Sequence, residues 1–184
     1  MKHALLLSFC SLSLVLAVPV HAVRQPLRAK HGMVVAMEAI AADVGVSVLQ
    51  KGGNAIDAAV ATGFALAVTH PFAGNIGGGG YMLIRLADGR TTFIDFRERA
   101  PEKSTRNMYL DAKGDLTRDS IEGWRSSGVP GTVRGFEIAV SNYGRRTWAE
   151  NMAPAVELAS KGFPVSYALA EGLKGSELTD QPLM

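Results

Sequence analysis

Gly52-Gly53-Asn54-Ala55-Ile56-Asp57-Ala58-Ala59-Val60-Ala61-Thr62-Gly63-Phe64-Ala65-Leu66-Ala67-Val68 is the stretch that decides the fold. Paired glycines end one helix in the left-handed conformation that a C-terminal cap needs, and Asn54 is placed to cap the next helix, over residues 55–68. That second helix is apolar nearly all round, interrupted only by Asp57 and Thr62. A helix of this kind is buried on most sides, so it belongs between layers. Upstream, Ala41, Val44, Val48 and Leu49 recur at helical spacing over residues 38–51, and Gly32-Met33-Val34-Val35-Ala36 reads as a short buried strand. Downstream, His70-Pro71 stops the helix, and a glycine-rich loop over residues 74–80 leads into a strand at 81–86. Asp88-Gly89 then turns the chain into a second strand at 91–96, making a hairpin. Because strand side chains alternate, Ile94 and Phe96 share one face while Asp95 and Arg97 share the other.

Residues 98–130 are charged and small, with an exposed turn at 111–115, and Gly128-Val129-Pro130-Gly131 closes them. Helices follow at about 132–143, at 148–161, where Pro154 fits only near the first turn, and at 166–174. The pattern is α/β (α+β), and residues 23–184 have the length of one domain.

At the N-terminus Lys2 and His3 precede an apolar run over residues 4–18, then Pro19 and Val20-His21-Ala22. A charged start, a short apolar stretch and small residues form a secretory signal, residues 1–22, cut after Ala22. The run is shorter than the ~20 residues a spanning helix needs, so no stable membrane anchor is expected and the protein is exported, to the periplasm or the medium. Cys10, the single cysteine, leaves with the signal, which excludes disulfides and a cysteine nucleophile from the mature chain. Net charge is +2 and the arginines form separate doublets rather than a stripe, so nucleic acid is not an expected partner.

Four chemistries bear on these residues. The glycines follow a helix and precede a strand, the reverse of the order a phosphate loop needs, so they read as a turn where two layers approach closely. His31 and His70 lack carboxylates at ligand spacing, and no metal site follows. No Gly-x-Ser-x-Gly elbow or late histidine supports a triad. Arg97 remains: a guanidinium offers a rigid fork matching a carboxylate, but position alone favours a structural salt bridge to Asp95 or Glu98.

Taken together, Gly52 to Ala61, Thr69-His70-Pro71, Gly74-Asn75-Ile76-Gly77-Gly78-Gly79-Gly80-Tyr81-Met82 and Asp95-Phe96-Arg97-Glu98-Arg99-Ala100-Pro101 resemble the gamma-glutamyltranspeptidase (glutathione hydrolase) family. The likeness is to the N-terminal part of its large subunit, and Gly128 to Val133 and Ala159 to Phe163 continue it. The resemblance implies an N-terminal-nucleophile hydrolase with an αββα sandwich, here incomplete, made as a precursor that cuts itself into large and small subunits. It implies a threonine nucleophile exposed by that cut, attack on the γ-glutamyl amide of glutathione, and no cofactor. It also implies that Arg97, the arginine of the Arg-Glu-x-Ala-Pro motif, binds the substrate α-carboxylate. Arg99 falls at the variable position and Glu98 has no firm role.

The family's chain is several times longer, and no threonine here, such as Thr62, Thr69 or Thr132, matches the nucleophile. No catalytic residue is therefore carried over. The chain alone is expected to be inactive, with apolar surface bared where a small subunit from the same precursor would pack. A glutaryl-type β-lactam acylase of the same family and a non-catalytic exported carboxylate-binding module are the competing readings.

Overall fold

Two capping motifs back to back build the core. Helix α1 (Ala39–Gln50) ends where Gly52, at φ +88°, donates to the Leu49 carbonyl at 3.1 Å and Gly53 donates to the Val48 carbonyl at 3.0 Å. This crossed pair is the Schellman arrangement, and only glycine enters it without strain. Helix α2 (Ala55–Thr69) starts at once: Asn54 Oδ1 accepts from the N–H groups of Ile56 and Asp57, and Asp57 Oδ2 accepts from Asn54 N–H at 2.9 Å. Such a reciprocal box satisfies orphan donors, and losing its cap costs about 1 kcal/mol.

The computed structural model describes residues 26–174; the predicted signal segment and its cleavage point lie outside the described residues. The chain divides into two units at His31. Residues 26–31 of the first are exposed and irregular. The second contains α1, α2, an antiparallel hairpin of β1 (Tyr81–Arg85) and β2 (Thr91–Asp95), and helices α3 (Thr132–Tyr143), α4 (Trp148–Lys161) and α5 (Tyr167–Lys174).

The expectation of a helix buried on most sides holds. Ile56, Ala58, Val60, Ala61, Phe64 and Ala65 of α2 are all buried. On one side Ala58 and Ala61 meet Val48 of α1, backed by Val34, Val44 and Leu49. On the other, Ile56, Val60 and Phe64 join Phe136, Ala139 and Val140 of α3, Ala155 of α4, and Ile84 and Ile94 of the hairpin. Phe136 stands edge-on to both Phe64 and Phe96, with centroids 5.1 and 5.8 Å away, and so couples helices to sheet.

The hairpin register pairs Tyr81 with Asp95 and Arg85 with Thr91, and its link turns at Gly89, φ +88°, with Asp88 accepting from Arg90 N–H. Ile84 and Ile94 point inward, and Phe96 continues that face. The outward face carries Tyr81, Leu83 and Phe93, exposed by 56%, 76% and 57%, with the two rings stacked at 5.6 Å. Helices thus cover one side of the sheet and nothing described covers the other.

Two expectations need correction. Residues 32–36 form no strand: Val34 packs on the α1–α2 cluster, but Met33 and Val35 are exposed by 52% and 85%. Among the described residues no strand lies alongside to complete a ladder, and without one the backbone groups cannot pair. Pro154 is the seventh residue of α4 rather than part of its first turn. Its missing N–H would have served the carbonyl of Glu150, an exposed residue.

The turn at 111–115 is present, closed by Asp111 N–H to the Asp115 carbonyl and by Gly114 at φ +87°. Residues 98–130 are pinned by the Arg99–Val129 bridge and by Tyr109 Oη donating to the Arg125 carbonyl.

Candidate functional site

Arg97 follows β2 directly and is held by its neighbours. Its N–H donates to Asp95 Oδ1 at 3.0 Å, its Nε to Glu98 Oε2 at 3.2 Å, and its Nη1 reaches Tyr81 Oη at 3.5 Å. The hydrogen bond to Tyr81 and the Glu98 carboxylate hold the guanidinium charged, above its already high ordinary pKa. Of the two ion pairs weighed from sequence, the side chain makes the one with Glu98, while Asp95 caps the backbone. The pair is open to water, with the Arg97 side chain 65% exposed, and exposed pairs of this kind hold weakly. Nη2 has no partner among the described residues, so the fork can turn to a carboxylate.

Arg97 does not stand alone. A hollow of about 210 Å³ is lined by Asp95, Arg97, Arg99 and Arg134, with Gly131 and Gly135 among its wall residues. Sequence reasoning left Arg99 without a role and did not single out Arg134. The signal for Arg134 was its place in the first turn of a helix entered through Gly128 to Gly131, whose closeness to β2 no local pattern reveals.

The glycine loop serves this geometry. Gly78 offers its carbonyl to the N–H groups of Gly131 and Thr132, at 2.8 and 3.0 Å, and so fixes the start of α3. A Cβ at Gly79 would lie 2.6 Å from the Phe96 carbonyl oxygen, and one at Gly131 only 1.9 Å from it. These glycines let layers approach, as expected, and α3 already spends its first N–H groups on protein.

A second polar centre is structural. Asp57 is fully buried and accepts from Asn54 N–H, from Arg145 N–H, from Arg146 N–H and from Asn151 Nδ2. Burial alone would push its pKa up, but these four donors outweigh it and hold the carboxyl below the usual carboxylate range. Tyr143 adds its carbonyl to Asn54 Nδ2 at 2.6 Å. The start of α2 is thereby tied to the junction of α3 and α4.

Thr62, Thr69 and Thr132 are all buried; Thr69 Oγ1 donates to the Ala65 carbonyl. His70 Nδ1 sits 3.8 Å from Glu38 Oε1, and Ser166 Oγ bonds the same oxygen, a link from α2 to the segment before α5. Among the described residues no cluster of three or more His, Cys, Asp and Glu is placed to hold a metal, and no helix is long and apolar enough to cross a membrane.

Known proteins are similar to this chain in sequence and fold. The profile of the gamma-glutamyltranspeptidase family matches residues 41–183. A glutathione hydrolase proenzyme of Escherichia coli K12 is 54% identical over 156 residues, covering 83% of this chain and 27% of the relative. The chain therefore spans about a quarter of that relative's length. A solved gamma-glutamyltranspeptidase of Helicobacter pylori superposes with a TM-score of 0.78 at 47% identity, over 82% of this chain and 43% of the other. A cephalosporin acylase of Bacillus halodurans superposes at 0.74 with 29% identity, over 91% and 31%. These likenesses identify the helices and one-sided hairpin as part of the α+β sandwich of the N-terminal-nucleophile hydrolases. With its profile match running from α1 past α5 and including Arg97, the chain belongs to the gamma-glutamyltranspeptidase family.

Proposed function

We propose that this chain supplies the N-terminal, carboxylate-gripping part of an exported enzyme that hydrolyses or transfers the γ-glutamyl group of glutathione and related compounds. The observation that carries this reading is Arg97. It sits at the end of β2 with one nitrogen unpaired and its other contacts weak enough to exchange for a substrate carboxylate. The relative's name, glutathione hydrolase proenzyme, supports both the substrate and a precursor that is processed.

Chemistry on the γ-glutamyl amide then needs a nucleophile from outside this chain. Thr62, Thr69 and Thr132 are buried, and each lies inside the chain, where no free amine adjoins its hydroxyl. Arg97 would fix the α-carboxylate and so place the γ-amide at a distance set by the glutamyl side chain, which is positioning rather than bond-making. The bare outer face of the hairpin, Tyr81, Leu83 and Phe93, is the surface on which the second subunit would lay its own sheet. Export rests on the signal-like residues 1–22, and the short apolar run there supports release rather than anchoring. The acylase likeness supports a second reading, in which the same grip holds a glutaryl side chain.

Exchange of this chain for the matched segment of the E. coli proenzyme tests the proposal. The chimera is expected to release p-nitroaniline from γ-glutamyl-p-nitroanilide, the chain alone to release none, and Arg97→Ala in the chimera to raise KM while self-cleavage persists. An unchanged KM in that variant overturns the role of Arg97, and release by the chain alone overturns its dependence on a second part.

A further inference from the structure

Arg99 is the residue that the motif leaves idle. Its backbone is fixed, donating to the Val129 carbonyl at 3.2 Å and accepting from Val129 N–H at 2.8 Å. Its side chain makes no hydrogen bond or ion pair with any described residue, yet it lines the same hollow of about 210 Å³ as Arg97 and Arg134. Three arginines and one carboxylate, Asp95, line it. Two of these arginines are already paired with acids, Arg97 with Glu98 and Arg134 with Glu137 at 2.5 Å, so Arg99 is the lining arginine with no acid partner among the described residues. Gly131, at the start of α3, also lines the hollow, but its N–H and that of Thr132 are taken by the Gly78 carbonyl, which leaves Arg99 as the group open to an anion. An unpaired guanidinium in a concave wall attracts a counter-ion.

Spacing says what kind of anion fits. Arg97 and Arg99 are two residues apart and both line the hollow, and two residues of extended chain span roughly 7 Å. Two carboxylates at opposite ends of a small peptide can span such a gap, whereas a single carboxylate engages only one fork.

We propose that Arg99, supported by Arg134, forms a second carboxylate subsite beside Arg97, so that the site favours γ-glutamyl compounds carrying a further carboxylate beyond the γ-amide over those ending in a neutral group. The proposal rests on the reading of Arg97 as the α-carboxylate grip. It gives Arg99 a part in specificity and none in bond-making. The competing account, three solvated arginines that merely share a surface, predicts no preference between ligands that differ only in that second charge.

Calorimetric titration of the full chain with glutathione and with its glycyl ethyl ester, in which the second carboxylate is masked, separates the two. Glutathione is expected to bind at least about three-fold more tightly than the ester, a preference that fades as salt is raised. Arg99→Gln is expected to bring glutathione down to the ester while leaving the ester unchanged, and Arg97→Gln to weaken both. Equal affinity for acid and ester, survival of the preference in Arg99→Gln, or no saturation by glutathione overturns the subsite. An Arg97→Gln chain that keeps both its affinity and its preference removes the α-carboxylate grip but leaves the Arg99 subsite standing. Activity of the chimera judges the enzyme reading independently of either result.

Discussion

The helical layer and the hairpin solve the burial problem differently. Helix α2 is enclosed by α1 on one side and by α3, α4 and the inner hairpin face on the other, and its one buried charge, Asp57, is met by four donors. The hairpin has two strands, one covered face and one face that shows water Tyr81, Leu83 and Phe93. Two strands are marginal on their own, so the hairpin depends on Phe136 and the glycines of α3 for its place. The helical layer carries the stability, and the hairpin presents the site at its end.

The comparison breaks first at Asp57. Asp57→Ala strips a partner from Asn151 and from three backbone N–H groups at a buried position, and is expected to cost about 3–5 kcal/mol, read as a fall in the urea midpoint followed by far-UV circular dichroism. The same carboxylate sets a pH dependence. Its folded pKa lies below the unfolded one, so its stabilisation is complete above the unfolded value near 3.9 and is lost as pH falls through the folded value. Midpoints measured from neutral pH downward should stay level on this account until about pH 4 and then drop; a chain bearing Asp57→Asn should lose that part of the drop.

Detaching the hairpin is the next largest change. A Cβ at Gly135 would lie 2.2 Å from Phe96 Cγ, so Gly135→Ala must push the end of β2 away from α3. Overpacking of this kind costs about 1–3 kcal/mol, and hydrogen exchange should speed up in the hairpin amides far more than in α2. Equal acceleration in both would show that the two regions do not differ as described.

The smallest effect belongs to the bare face. Leu83→Thr, at a position 76% exposed, is expected to change stability by less than about 0.5 kcal/mol while lowering the binding of an apolar dye. In the chimera the same substitution is expected to impair assembly, since the proposed second subunit would lie on that face. An isolated chain destabilised by well over that amount would mean the face is already packed.

Much of this was legible beforehand. Capping residues, helix periods and the alternation of Ile94 and Phe96 against Asp95 and Arg97 are set by interactions within a few residues, and Gly52-Gly53-Asn54 placed the junction of α1 and α2 correctly. Asp57 was visible only as a polar interruption, since its donors at Arg145, Arg146 and Asn151 lie nearly ninety or more residues away. The strand expected at residues 32–36 failed for a related reason: a local apolar pattern cannot supply the neighbouring strand that makes one.

Sequence by itself determined the helices, the hairpin, the family motif and Arg97 as the residue worth testing, because each depends on short-range geometry or on residue identity. Only the tertiary structure decided that Arg97 leans on Glu98 and Tyr81, that Arg99 and Arg134 share its hollow, and that one face of the sheet stays bare. Those outcomes depend on how layers pack and on which charges burial and proximity bring together, and such contacts between distant residues leave no trace in local pattern.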